Sequence, residues 1–85
     1  MSKYSVEITT SAQRQFKKLS SGIQDRILPK LFSLETHPRP FGSQKLRDSN
    51  FYRVRVGDYR IIYSVDDSRR IIKILDVAHR REVYR

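Results

Sequence analysis

The 85-residue sequence predicts an α+β fold: an N-terminal strand, a helical hairpin, a three-stranded antiparallel sheet and a short C-terminal tail. Three observations carry that prediction. Apolar residues recur at helical spacing across residues 12–34, alternate with polar ones across residues 51–63, and fill both faces of residues 70–78. The first pattern buries one stripe of a helix, the second buries one face of a strand, and the third suits a strand covered on both sides.

Residues 3–8 place Tyr4, Val6 and Ile8 on one side, as in a short half-buried strand. Thr9, Thr10 and Ser11 then offer hydroxyls that can accept from the free N–H groups of a helix start. Ala12, Phe16 and Leu19 follow at helical spacing, while Arg14, Lys17 and Lys18 face outward. Ser20-Ser21-Gly22 ends that helix and caps a second one, whose positions Ile23, Ile27, Leu28, Leu31, Phe32 and Leu34 stay in phase up to His37-Pro38. Pro29 interrupts this pattern. An interior proline lacks an N–H and costs about 3 kcal/mol, so the helix is kinked or split there, and the unbroken phase favours a kink. Residues 38–43, with Pro40 and Gly42, read as a loop, and residues 44–46 as extended chain before the turn Arg47-Asp48-Ser49-Asn50. Two strands then flank Gly57-Asp58. Asp66-Asp67-Ser68 makes a further turn, and residues 70–78 form a third strand expected at the centre of the sheet. Residues 79–85 are a polar tail able to form one helical turn. No repeat, linker or low-complexity tract divides the chain, so residues 1–85 read as one domain.

A domain of this length buries only about 60% of the surface its unfolded chain exposes, so its own core is thin. The net charge of +9 points outward, to nucleic acid, an acidic protein or an anionic membrane surface. Membrane association is the weakest of these, because no apolar run is long enough for a signal peptide or a spanning helix. The absence of cysteine excludes disulfides and thiolate metal sites and fits a reducing cytoplasm. His37 and His79 are the two imidazoles, neither with a carboxylate at a familiar metal spacing, so we expect no metal and no cofactor.

The hairpin of residues 51–63 carries arginines that ought to repel one another. Alternation puts Arg53 and Arg55 on one face, roughly 7 Å apart. A two-residue turn at Gly57-Asp58, or a four-residue loop around it, sets Arg55 opposite Arg60 on that same face. Like charges directly opposite destabilise a sheet, so three converging arginines imply that an anion sits among them. Tyr52, Tyr59 and Tyr63 fall on the other face with Val54, Val56 and Ile61, where they serve the core, and Phe51 shares the arginine face.

The element order, together with Phe51-Tyr52-Arg53-Val54-Arg55, Asp58-Tyr59-Arg60-Ile61-Ile62-Tyr63 and Val77-Ala78-His79-Arg80-Arg81-Glu82-Val83-Tyr84, resembles the RelE branch of the RelE/ParE superfamily of type II toxin-antitoxin toxins. The likeness covers nearly the whole chain. It implies a ribosome-dependent endoribonuclease that cuts mRNA in the decoding (A) site, inhibits translation in the cytoplasm and is silenced by a RelB-like antitoxin. It also implies that the toxin-antitoxin complex binds its own operator DNA through the antitoxin. Arg53 and Arg55 match two family positions that are often lysine, Arg60 matches the hairpin arginine, and Tyr84 matches the C-terminal tyrosine. Arg80 matches a basic residue after the last strand, with Arg81 the alternative if the tail is shifted by one. Two other activities fit parts of the pattern: a ParE-type gyrase inhibitor, and a catalytically inactive RNA-binding or repressor subunit.

Metal-independent RNA cleavage needs a base for the 2′-hydroxyl proton, cations for the dianionic pentacovalent phosphorus and an acid for the leaving 5′-oxygen. Arginine forks suit the second task, and Arg53, Arg55, Arg60 and Arg80 form the cationic set. Tyr84 is placed to act as acid or base. Arginine at 53 and 55, in place of lysine, removes two groups able to lose a proton, which leaves His79, Tyr84 or charge-assisted attack to activate the hydroxyl.

Overall fold

The computed structural model describes residues 3–47 and 49–79. In chain order the elements are β1 (Ser5–Ile8), α1 (Thr10–Lys17), α2 (Ser21–Ser33), β2 (Gln44–Lys45), β3 (Phe51–Val56), β4 (Tyr59–Asp66) and β5 (Ile71–His79). The five strands form one sheet in the order β1-β5-β4-β3-β2, with β1 parallel to β5 and every other pair antiparallel. The expected α+β class is correct, and the expected three-stranded antiparallel sheet is extended at both edges. β5 is interior, but the middle of the sheet is β4.

Both helices start where hydroxyl caps were expected: Thr9 accepts from the Ala12 N–H at 3.2 Å and Ser20 from the Ile23 N–H at 3.4 Å. α2 runs through Pro29 as one element, with the proline exposed. Its stripe of Ile27, Leu31 and Leu34 packs with Ala12 of α1 against Val54, Ile61, Tyr63, Val65, Ile72, Ile74 and Val77 of the sheet. Each large aliphatic buried there contributes about 1.5–3 kcal/mol over exposure. Phe32, in phase by sequence, is 60% exposed and lies outside this core.

At the hairpin turn Gly57 has φ +59°, and Val56 pairs with Tyr59, which makes the turn two residues long. A β-carbon at Gly57 would lie 2.8 Å from the Arg26 guanidinium of α2, so that helix closes down on the turn.

One irregularity decides the site. β4 pairs Ile62 with Asp76 and Tyr63 with Ile74, so Leu75 is an extra residue that bulges from the ladder. Before the bulge, Ile72 and Ile74 face the helices. After it, Val77 takes the inward position, and Asp76 and Ala78 come onto the outer face, level with Ile62 and Arg60. Strict alternation would have driven the Asp76 carboxylate into the core.

Candidate functional site

The outer face of the sheet gathers Arg53, Arg55 and Arg60. Cross-strand pairing sets Arg55 against Arg60 and Arg53 against Ile62. Arg55 is exposed, whereas Arg60 is only 9% exposed. The two arginines therefore differ in setting: one meets solvent, and the other is built into the protein. Arg53 is half-buried and donates to the Gln44 side-chain carbonyl. Among the described residues, no carboxylate pairs with Arg53 or Arg55.

Asp76 lies beside Arg60. The Arg60 Nε lies 3.7 Å from Oδ2 of Asp76, its diagonal neighbour on the outer face. The other oxygen of Asp76 accepts from Gln15 Nε2 at 2.7 Å, and Gln15 Oε1 accepts the Val77 backbone N–H at 2.8 Å. β1 ends at Ile8, opposite Ile74, so the edge of β5 beyond that point has no strand beside it. The Gln15 amide occupies that edge as a missing strand would, satisfying a backbone donor and bracing the carboxylate beside Arg60. A cavity of about 540 Å³ opens there, with Gln15, Lys18, Tyr59, Arg60, Asp76 and His79 on its walls.

His79 reaches that cavity from the other face. It pairs with Tyr59, on the helix side of the sheet, and the two rings meet edge to face at 5.1 Å. Bulging of Leu75 is the reason: without that extra residue, His79 would alternate onto the arginine face. Arg80, Arg81 and Tyr84 lie outside the described residues. Asp76 and Gln15 were missed by sequence reasoning. Their signal was a carboxylate placed in the otherwise apolar run Ile74-Leu75-Asp76-Val77-Ala78.

A second network ties down the segment leading into β2. Arg39 donates to Oδ2 of Asp67 at 2.8 Å and to the Tyr52 hydroxyl at 2.9 Å, and the Tyr4 hydroxyl donates to Oδ1 of Asp67 at 2.5 Å. The Arg39 guanidinium, and then the Tyr4 hydroxyl, hold the Asp67 carboxyl below the usual carboxylate range. Tyr63, fully buried, donates its hydroxyl to the Pro38 carbonyl at 2.9 Å. Among the described residues, no three His, Cys, Asp or Glu side chains gather as a metal site, and no helix is long and apolar enough to cross a membrane.

A family model described as the ParE toxin of the type II toxin-antitoxin system parDE matches residues 6–84. Toxin RelG of Mycobacterium tuberculosis is 33% identical over 84 residues, spanning 96% of this chain and 97% of that protein. Among solved structures, the archaeal RelE-RelB complex from Pyrococcus horikoshii contains a chain 35% identical, with a TM-score of 0.82 over 94% of this chain and 98% of that one. The RelBE2 toxin-antitoxin complex of Mycobacterium tuberculosis contains one at 31% identity and a TM-score of 0.81, over 91% of this chain and 98% of that one.

Proposed function

The chain belongs to the RelE branch of the RelE/ParE superfamily of type II toxins, and from that premise we propose that it cleaves mRNA on the ribosome, in the decoding site. The observation that carries this reading is Arg55 set directly opposite a buried Arg60 on the outer face of the sheet. Like charges directly opposite disfavour the pairing, and an anionic phosphate held by the two side chains would offset that repulsion.

In this reading the 2′-hydroxyl attacks the adjacent phosphorus, the bond to the 5′-oxygen breaks, and the products carry a 2′,3′-cyclic phosphate and a 5′-hydroxyl. Arg53, Arg55 and Arg60, with Arg80 or Arg81, hold the non-bridging oxygens as negative charge builds. Asp76 and Gln15 act through Arg60 as positioning residues, fixing its fork before substrate arrives. Tyr84 protonates the leaving oxygen, and His79, on the cavity wall that also holds Arg60, accepts the attacking proton. A RelB-like antitoxin is the proposed partner, by similarity to the solved complexes.

Single-turnover cleavage on ribosomes programmed with a defined mRNA tests the reading. Arg60→Ala should cut the rate on the order of 100-fold or more, the loss typical of one donor aimed at developing charge. His79→Ala should lower the single-turnover rate with ribosome affinity unchanged. Gyrase inhibition by the same protein, with no cleavage on ribosomes, would move it to a ParE-type gyrase inhibitor.

A further inference from the structure

A groove of about 420 Å³ lies at the edge of β3 away from β4. It exists because β2 is too short: Gln44 pairs with Arg53 and Lys45 with Tyr52, and the ladder stops, leaving the edge beside Val54 and Arg55 uncovered. Lys30 of α2, the Phe41-Gly42 segment, Gln44 of β2 and Arg53, Val54 and Arg55 of β3 line it. Three of those side chains are cationic and none is acidic.

Phe41 is the apolar member of this lining, and its ring is fully exposed. The backbone on both sides of it is nonetheless held. Pro38 is bonded to Tyr63 and Arg39 to Asp67 and Tyr52 on one side, and on the other the Ser43 N–H reaches the Pro40 carbonyl at 3.0 Å across Gly42, whose φ is +92°. A clamped turn thus presents a bare aromatic face beside three cations. Single-stranded nucleic acid meets both demands at once, its phosphates following the cations and a base stacking on the ring. A peptide of acidic residues alone would satisfy only the cations.

We propose that this groove is a base-stacking subsite for single-stranded RNA, in which a nucleotide next to the cleaved one lies on Phe41 with its phosphate between Lys30 and Arg55. The inference rests on the cleavage reading above, because Arg53 and Arg55 serve both places: they share the outer face with Arg60, which Arg55 pairs with directly, and they line the groove at the strand edge. It adds a determinant of which mRNA sequences are cut.

The chain contains no tryptophan, so Phe41→Trp supplies a single fluorescent reporter in the groove lining. Titration with a short 2′-O-methyl oligoribonucleotide, which cannot be cleaved, should quench that fluorescence. An abasic strand with the same number of phosphates should bind without comparable quenching. Phe41→Ala should weaken oligonucleotide binding roughly 10-fold and Phe41→Tyr much less, within the range measured for stacking of one base. Lys30→Ala should make the slope of log affinity against log salt shallower by about 0.7. Equal quenching by the abasic strand, or by a poly-glutamate peptide, would overturn the subsite. The two failures are separable: cleavage on ribosomes without base-dependent quenching removes the subsite alone, whereas quenching without cleavage removes the nuclease and keeps an RNA-binding groove.

Discussion

Arg60 shows how a single side chain is prepared at the expense of its neighbours. It is 9% exposed and faces Arg55 across the strand pair, and Asp76 is the carboxylate seen beside it. Asp76→Asn keeps an oxygen for Gln15 and removes only the charge. Breaking a fully buried pair costs about 3–5 kcal/mol, but a 3.7 Å separation and a 29% exposed Asp76 place this one lower, at about 1–2 kcal/mol in denaturant unfolding. Cleavage should fall further than stability does, and a variant as active as the parent would show that Arg60 needs no brace. Asp67 gives a different readout. Its carboxyl is held below the usual range by Arg39 and then Tyr4, so the folded state favours the ionised form. That contribution is complete above about pH 4 and is lost as pH falls through the lowered folded value. Asp67→Asn should therefore show a shallower loss of melting temperature between about pH 4 and pH 2 than the parent. Some acid slope should survive in the variant, because the Arg69 N–H and the Ser68 hydroxyl also hold Asp66 below its usual range. An identical acid slope in parent and variant would remove Asp67 from the account.

Elements differ in how plainly the sequence declares them, and the difference follows the range of the interaction. The hairpin of β3 and β4 was legible to the residue because alternation and a Gly-Asp turn fix its register locally, and Arg55 against Arg60 follows from register alone. Helix starts at Thr9 and Ser20 were legible for the same reason. The parallel pairing of β1 with β5 was not, since residues 5–8 and 71–74 meet only after everything between them has folded. Nor was the bulge, because nothing in Ile74-Leu75-Asp76 marks Leu75 as the extra residue. That one residue decides whether Asp76 or His79 shares the arginine face. α2 offers a test of local cost against tertiary gain. It continues through an exposed Pro29 because Ile27, Leu31 and Leu34 bury the stripe on either side of it. Pro29→Ala restores an N–H to the helix ladder and removes an intrinsic penalty of about 3 kcal/mol, while giving back about 1 kcal/mol of unfolded-state restriction. The expected outcome is a protein about 1–2 kcal/mol more stable with unchanged cleavage. A destabilised Pro29→Ala would mean that the sheet requires the bend a proline imposes.

For the whole molecule, the open question is whether its +9 acts as a diffuse field or through one surface. A diffuse field would raise encounter rates with any polyanion and depend on the total, whereas a surface in contact with phosphates depends on which charges are removed. The fold separates the two cases. Arg53 and Arg55 lie on the outer face of the sheet, and Arg14 and Lys17 lie on the exposed side of α1. The doubles Arg53→Ala/Arg55→Ala and Arg14→Ala/Lys17→Ala each lower the formal charge by two, and none of the four side chains belongs to the buried core. If the outer face and its groove hold RNA, the first double should flatten the log-log salt dependence of ribosome binding by about 1.4, at roughly 0.7 for each single-strand phosphate contact, and the second should leave the slope nearly unchanged. Equal flattening by both would mean that total charge carries the binding, and the outer-face arginines would then lose their claim as the contact surface. The proposed antitoxin supplies the cross-check. An acidic partner that silences the toxin by covering the outer face should associate more slowly with the first double than with the parent at low salt, with less change for the second. Matching slopes for ribosome and antitoxin across the three proteins would mean that substrate and inhibitor compete for the same arginines, so that neutralisation and catalysis are two uses of one charged face.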